Sequence, residues 1–155
     1  MNSALICDAP GILSVVGWQQ QVVPALTWWR RLLASGVSML VLRSDEPTAQ
    51  AMAEALPGAS LHCLEGPALP SLAALARAMA SVGADVSRSW MLSQDPQAFV
   101  LAAQIGCVGG VAVAVPAPAK IPGLVVHEAR NLADVPRVMI PPQGGCWHDH
   151  DTLGA

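Results

Sequence analysis

Hydrophobic residues fall along this chain in two alternating rhythms: short unbroken apolar runs, and longer stretches where apolar residues return every third or fourth position. Residues 4–7 form the first run, which stops at Asp8 and is followed by Pro10-Gly11, the pattern of a buried strand and its exit turn. In residues 22–35, Val22, Val23, Leu26, Trp29, Leu32 and Leu33 share one helical face, with Pro24 suited to the first turn and Gly36 to the end. Residues 37–42 read as a second buried strand. Ser44 or Asp45 caps a helix over 48–56 that Pro57-Gly58 stops. A short strand at 61–64 and a helix over 70–82, ended by Gly83, come next. Residues 89–92 form a strand, and Asp95-Pro96 open a helix that runs through Ile105 to Gly106. Strands are expected at 108–115, weakened at its start by Gly109-Gly110, and at 124–127, followed by a short helix over 132–139.

Strands that alternate with helices predict a doubly wound, Rossmann-like α/β fold, a parallel sheet with helices on both faces. Residues 1–139 are expected to form this domain, and the Pro- and Gly-rich residues 140–155 a tail. In such a sheet, ligands bind beyond the carboxyl ends of the strands. The stretches to inspect are therefore 8–11, 43–45, the segment before Pro70, and 93–98.

Composition narrows the function. With 53% hydrophobic and 12% charged residues, the chain has ample material for a core and does not read as disordered. Its net charge of −3, with the basic residues scattered, lacks the clustered Lys and Arg that nucleic-acid phosphates require. No apolar run reaches the roughly 18 residues of a membrane span without interruption. Cys7, Cys63, Cys107 and Cys146 form no CxxC pair, and the start of the chain lacks the basic region of a signal peptide, so a reduced, cytoplasmic protein is expected.

The stretches beyond the strands carry a resemblance. ALICDAPGIL is similar to the first motif of the haloacid dehalogenase (HAD)-like superfamily, a strand followed by Asp-x-Asp-Gly-Thr-Leu. MLVLRSD resembles the second motif, with Ser44 and Asp45 in the places of its Ser/Thr and Asn. The region from Gly66 to Val113 resembles the third and fourth motifs and the segment joining them, and GLVVHEARNLADVPRVM the closing strand, loop and helix. The likeness covers about residues 4–139 and leaves no room for a large cap domain. It is nearest the histidinol-phosphate and heptose-bisphosphate phosphatase-like branch, without that branch's zinc-binding Cys/His loop.

The resemblance implies a phosphatase chemistry from which this chain departs. In the family, the first Asp attacks phosphorus to form an aspartyl-phosphate, and the second Asp serves as acid and base. A Lys and a magnesium ion offset the charge. Asp8 keeps the nucleophile position, but Pro10 replaces the acid/base, Gly66 falls at the Lys, and Gln94 and Ala98 replace the fourth-motif acids. Lys120, the chain's one lysine, lies elsewhere in the pattern. Magnesium prefers carboxylate and water oxygens, so one remaining carboxylate is a poor site. Asp95 either joins Asp8 in holding an ion or caps the helix at Pro96. Asp8 itself is either a nucleophile or a polar residue bonding loop amides. Ser44 and Asp45 are either phosphate ligands or helix caps.

Two features lie outside that pattern. Cys146, His148 and His150 could bind zinc, nickel or copper, or be a polar tail with adventitious affinity. Trp28 cannot point inward together with Trp29, so it either lies flat on its helix or is exposed as a contact anchor, with Arg30 and Arg31 as a rim. The sequence thus predicts a catalytically impaired HAD-like protein, a pseudophosphatase needing no cofactor, that binds a partner protein or its own copy. The alternatives are a divergent phosphatase using Asp8 and Mg2+, and a metal-handling accessory protein using the C-terminal Cys/His cluster.

Overall fold

A computed structural model describes residues 2–58 and 60–139. Six strands form one parallel sheet: β1 (Ala4–Asp8), β2 (Ser38–Ser44), β3 (Leu61–Glu65), β4 (Trp90–Ser93), β5 (Gly109–Val113) and β6 (Val126–Ala129). Their spatial order is β3-β2-β1-β4-β5-β6, so the chain winds outward from β1 in one direction and then the other. The point of reversal lies between β1 and β4, and in sheets of this kind ligands bind there, beyond the carboxyl ends. The helices are α1 (Leu26–Ala34), α2 (Glu46–Ala55), α3 (Leu72–Ser81), α4 (Pro96–Ile105) and the short α5 (Val135–Val138). Among the described residues, no inserted domain interrupts these elements. Among the described residues, no helix is long and apolar enough to cross a membrane.

Side chains alternate across each strand, and this builds two cores. Leu5, Cys7, Met39, Val41, Trp90, Leu92, Val111 and Val113 line one face, where Trp29, Met52 and Val135 pack on them. Ala4, Ile6, Leu40, Leu42, Met91 and Ala112 line the other, under Leu75, Met79, Phe99 and Ala102. Burying each large side chain contributes about 1.5–3 kcal/mol, so the two faces together hold the layers in place. Local signals set the helix ends. Asp45 accepts the Thr48 amide at 2.8 Å, Ser71 the Ala74 amide at 3.1 Å, and Asp95 the Gln97 amide at 2.9 Å. Gly106 closes α4 in the left-handed region, at φ 100°.

Three elements differ from the pattern-based expectation. The helix expected from residue 22 begins only at Leu26, after a π-helical turn (Trp18–Val22) and a 3₁₀ turn (Val23–Ala25). Pro24 has no N–H to donate, so the ladder cannot run through it unchanged. The closing strand starts at Val126, not 124, because Ile121-Pro122-Gly123-Leu124 is a turn, with Leu124 N–H donating to the Ile121 carbonyl at 3.1 Å and Gly123 at φ 82°. Gly109-Gly110 does not weaken β5, which is wholly buried. A Cβ on Gly109 would stand 2.6 Å from the Trp90 ring, and one on Gly110 would stand 2.7 Å from the Phe99 ring. The two glycines let an aromatic ring lie flat on each face of the strand. Gly110→Ala is accordingly expected to cost about 1–3 kcal/mol in urea denaturation, as overpacked cores do.

Candidate active-site cleft

Asp8 is the last residue of β1 and is fully buried. A buried carboxylate needs a compensating charge, and Arg43 of β2 supplies it. The Arg43 Nε donates to Asp8 Oδ1 at 2.8 Å, and its Nη2 donates to Asp8 Oδ2. The same Nη2 donates to Asp95 Oδ2 at 3.1 Å, so one nitrogen joins carboxylates from β1 and from the start of α4. Ser93, which ends β4, donates its hydroxyl to Asp8 Oδ2 at 2.7 Å and accepts the Asp95 amide at 2.9 Å. Hydrogen bonding to Asp8 raises the Arg43 pKa above its already high value; burial opposes that rise and Asp95 adds to it.

Arg43 reaches this position through an irregular backbone. The register between β2 and β3 shifts between Leu42 and Ser44, and Arg43 itself sits at φ 55°. A left-handed backbone costs a non-glycine residue roughly 1–2 kcal/mol, which the fork of charged hydrogen bonds offsets.

Gln94 donates its amide to the Val113 carbonyl at 3.0 Å and the Gly11 carbonyl at 3.2 Å, stapling the loop after β1 to the end of β5. Gly11 has φ 78°, and a Cβ there would stand 2.0 Å from Gln94 Oε1, so the staple requires glycine. Pro10 is exposed beside it. Ala98 is fully buried in the core under α4. Gly66 is exposed, with open space where a side chain would begin. Lys120 is exposed on the β5–β6 connection. Burial pushes up the Cys7 thiol, with neighbouring Asp8 adding to it, so the cysteine next to the cleft is inert as a nucleophile.

Of the residues singled out by sequence, Asp8 and Asp95 are brought together, but onto Arg43. Asp95 is at once the α4 cap and an Arg43 partner. Asp45 caps α2, where hydrogen bonds from Thr48 hold its carboxyl below the usual range. Ser44 is buried, its hydroxyl without a partner among the described residues. Trp28 is half-buried rather than exposed. It packs edge-on against Trp29, with ring centroids 5.8 Å apart, and donates its indole N–H to the Leu132 carbonyl at 3.1 Å. That side chain straps α1 to the segment before α5. Cys146, His148 and His150 lie outside the described residues.

Sequence reasoning flagged residues 43–45 and 93–98 as segments but missed Arg43 and Ser93 as partners of Asp8. The available signal was a lone cation at the end of an apolar strand. The magnesium ion implied by the resemblance does not fit this set. The Arg43 guanidinium sits between the two carboxylates, the Gln94 amide is committed to two carbonyls, and Ala98 is core. Among the described residues no group of three His, Cys, Asp or Glu could hold a metal ion.

No protein-family model matches the chain, and no curated protein matches it by sequence. Solved structures do share its fold. D,D-heptose 1,7-bisphosphate phosphatase from Burkholderia thailandensis matches with a TM-score of 0.58 at 15% identity, over 85% of this chain and 94% of that one. A 2-haloacid dehalogenase from Pseudomonas syringae pv. tomato matches with a TM-score of 0.55 at 14% identity, over 88% of this chain and 97% of that one. A HAD-superfamily hydrolase of subfamily IA from Geobacter sulfurreducens gives 0.53 at 11% identity, over 90% of this chain and 100% of that one. The chain has the HAD-like α/β fold.

Proposed function

We propose that this protein is a non-catalytic relative of the HAD phosphatases, of capless heptose-bisphosphatase-like descent, that acts by contact with a partner protein or a second copy of itself. One observation carries the first half of the proposal: the nucleophile position is sequestered. Asp8 Oδ2 accepts from both Ser93 and Arg43, which fills its two lone pairs, and Oδ1 accepts from Arg43 Nε. Attack on phosphorus needs a free, aligned lone pair; three of the four lone-pair sites of this buried carboxylate are taken, and the fork also stabilises it in its ground state. Pro10, with no titratable group, stands where the family protonates the leaving group, a role worth about 10²–10⁴-fold.

The second half rests on apolar surface away from the cleft. A groove of about 320 Å³ runs between α1 and α2, lined by Leu33, Ala34, Ala55, Leu56 and Pro57, with Arg30 at its edge. On the connection from β1 to α1, Val16 is 91% exposed. These surfaces, rather than the strapped Trp28, are where contact is expected.

The decisive measurement is turnover of an aryl phosphate in millimolar Mg2+. The expected result is a rate no greater than that of Asp8→Asn. Turnover that Asp8→Asn abolishes would overturn the proposal and favour a divergent phosphatase in which Asp8 attacks and Asp95 helps to hold the ion. That second reading has one observation behind it, the convergence of the two carboxylates on Arg43.

A further inference from the structure

We infer that the Arg43 guanidinium is a tethered replacement for a divalent cation: the native cleft is metal-independent, and affinity for such ions emerges only when that side chain is removed. The inference deepens the non-catalytic reading and rests on it.

A surface ion pair joins one cation to one anion, but here a single nitrogen, Nη2, donates to carboxylate oxygens from two segments, the end of β1 and the start of α4. Two negative groups held together beyond the ends of β1 and β4 repel each other unless a positive centre lies between them. Arg43 is that centre. Its side chain is only 14% exposed and the Asp8 side chain 1%, so water screens this inner carboxylate little, whereas the Asp95 side chain, 35% exposed, faces water on its outer side. The backbone points the same way. Arg43 is at φ 55° at a register shift, so the chain accepts local strain in order to aim a cation at this point.

Competition for the place is one-sided. An incoming ion must break the hydrogen bonds from Nε and Nη2 and expel a charge that cannot be deprotonated. It must also shed water, which Mg2+ does reluctantly. In return it gains few ligands while the guanidinium holds oxygens of both carboxylates. Once the guanidinium is gone, the two carboxylates are left facing a gap of their own making, and a divalent ion becomes the natural occupant.

The test uses Mn2+, read by the loss of its free-ion EPR signal and by thermal denaturation. Wild type is expected to leave the Mn2+ signal and its own Tm unchanged, with or without EDTA. Arg43→Ala is expected to bind Mn2+ about tenfold or more tightly than wild type and to gain Tm with added ion, as a ligand of the native state must produce. Arg43→Ala/Asp95→Asn is expected to lose that gain. Should Arg43→Ala not fold alone, it is refolded with Mn2+ and, in parallel, with methylguanidine, a free analogue of the missing group; recovery with Mn2+ supports the inference, and recovery with methylguanidine alone or with neither overturns it. Wild-type binding as tight as the variant's overturns it too, as does a folded variant with no gain. Mn2+ binding by wild type without phosphate turnover would sink this inference alone, whereas turnover would sink the non-catalytic reading.

Discussion

Replacing Arg43 with Met is expected to lower the unfolding free energy by about 3–5 kcal/mol, the scale on which breaking a buried ion pair from one side destabilises a protein. The reason is what remains. Asp8 is fully buried, and without the guanidinium it retains, among the described residues, only the Ser93 hydroxyl as a side-chain donor. Asp8→Asn/Arg43→Met should recover a large part of the loss, because the stranded charge goes with the carboxylate. A double-mutant cycle in urea at neutral pH reads both effects. A loss of only about 1 kcal/mol would place the pair with hydrated surface bridges and would undercut the claim that Asp8 is sealed. The relief of left-handed strain at Arg43 does not enter, since Met at φ 55° carries the same penalty.

Trp90→Ala is the second large effect, at about 3–5 kcal/mol, because it opens a cavity across two strands. The indole lies on the bare backbone of Gly109 and reaches to the His127 ring on β6, with ring centroids 6.0 Å apart. Nothing else can fill that space, since Gly109 has no side chain. Trp90→Phe should cost far less. The Trp90 Nε1 is buried with no hydrogen-bond partner among the described residues, so Phe removes an unsatisfied donor along with part of the ring. Equilibrium unfolding separates the two variants, and near-UV circular dichroism reports whether the remaining packing stays fixed. Equal losses for Ala and Phe would mean that the indole nitrogen does have a partner.

These two sites divide the molecule's physics. Trp90 belongs to the layer packing that the fold shares with its HAD-like structural neighbours. Arg43 belongs to what this chain has done with the cleft that such a sheet creates at its point of reversal. The sheet brings β1, β2 and β4 side by side whatever stands at their ends, so the substituents there are free to change without loss of fold. Here they form an ion-pair network of Asp8, Arg43 and Asp95.

The primary structure determined the sequence of strands and helices, because periodicity, caps and turn residues act over a few positions. An apolar run that halts on Asp8 places that carboxylate at a strand end, and Asp95-Pro96 with Gly106 brackets α4. The parallel sheet then follows from alternation. What only the tertiary structure decided was the company each polar group keeps. Arg43 meets Asp8 across 35 positions and Asp95 across 52, contacts that depend on parallel register, on a bulge and on a backbone angle that no local signal encodes. Trp28 meets Leu132 across 104 positions, and of the two placements its helix allowed it takes the half-buried one, as a strap. Gly109 and Gly110 are breakers along the chain but seats for aromatic rings in space. Local chemistry selects conformation, whereas side-chain pairing depends on which strands end up as neighbours, and that is settled only when the layers close.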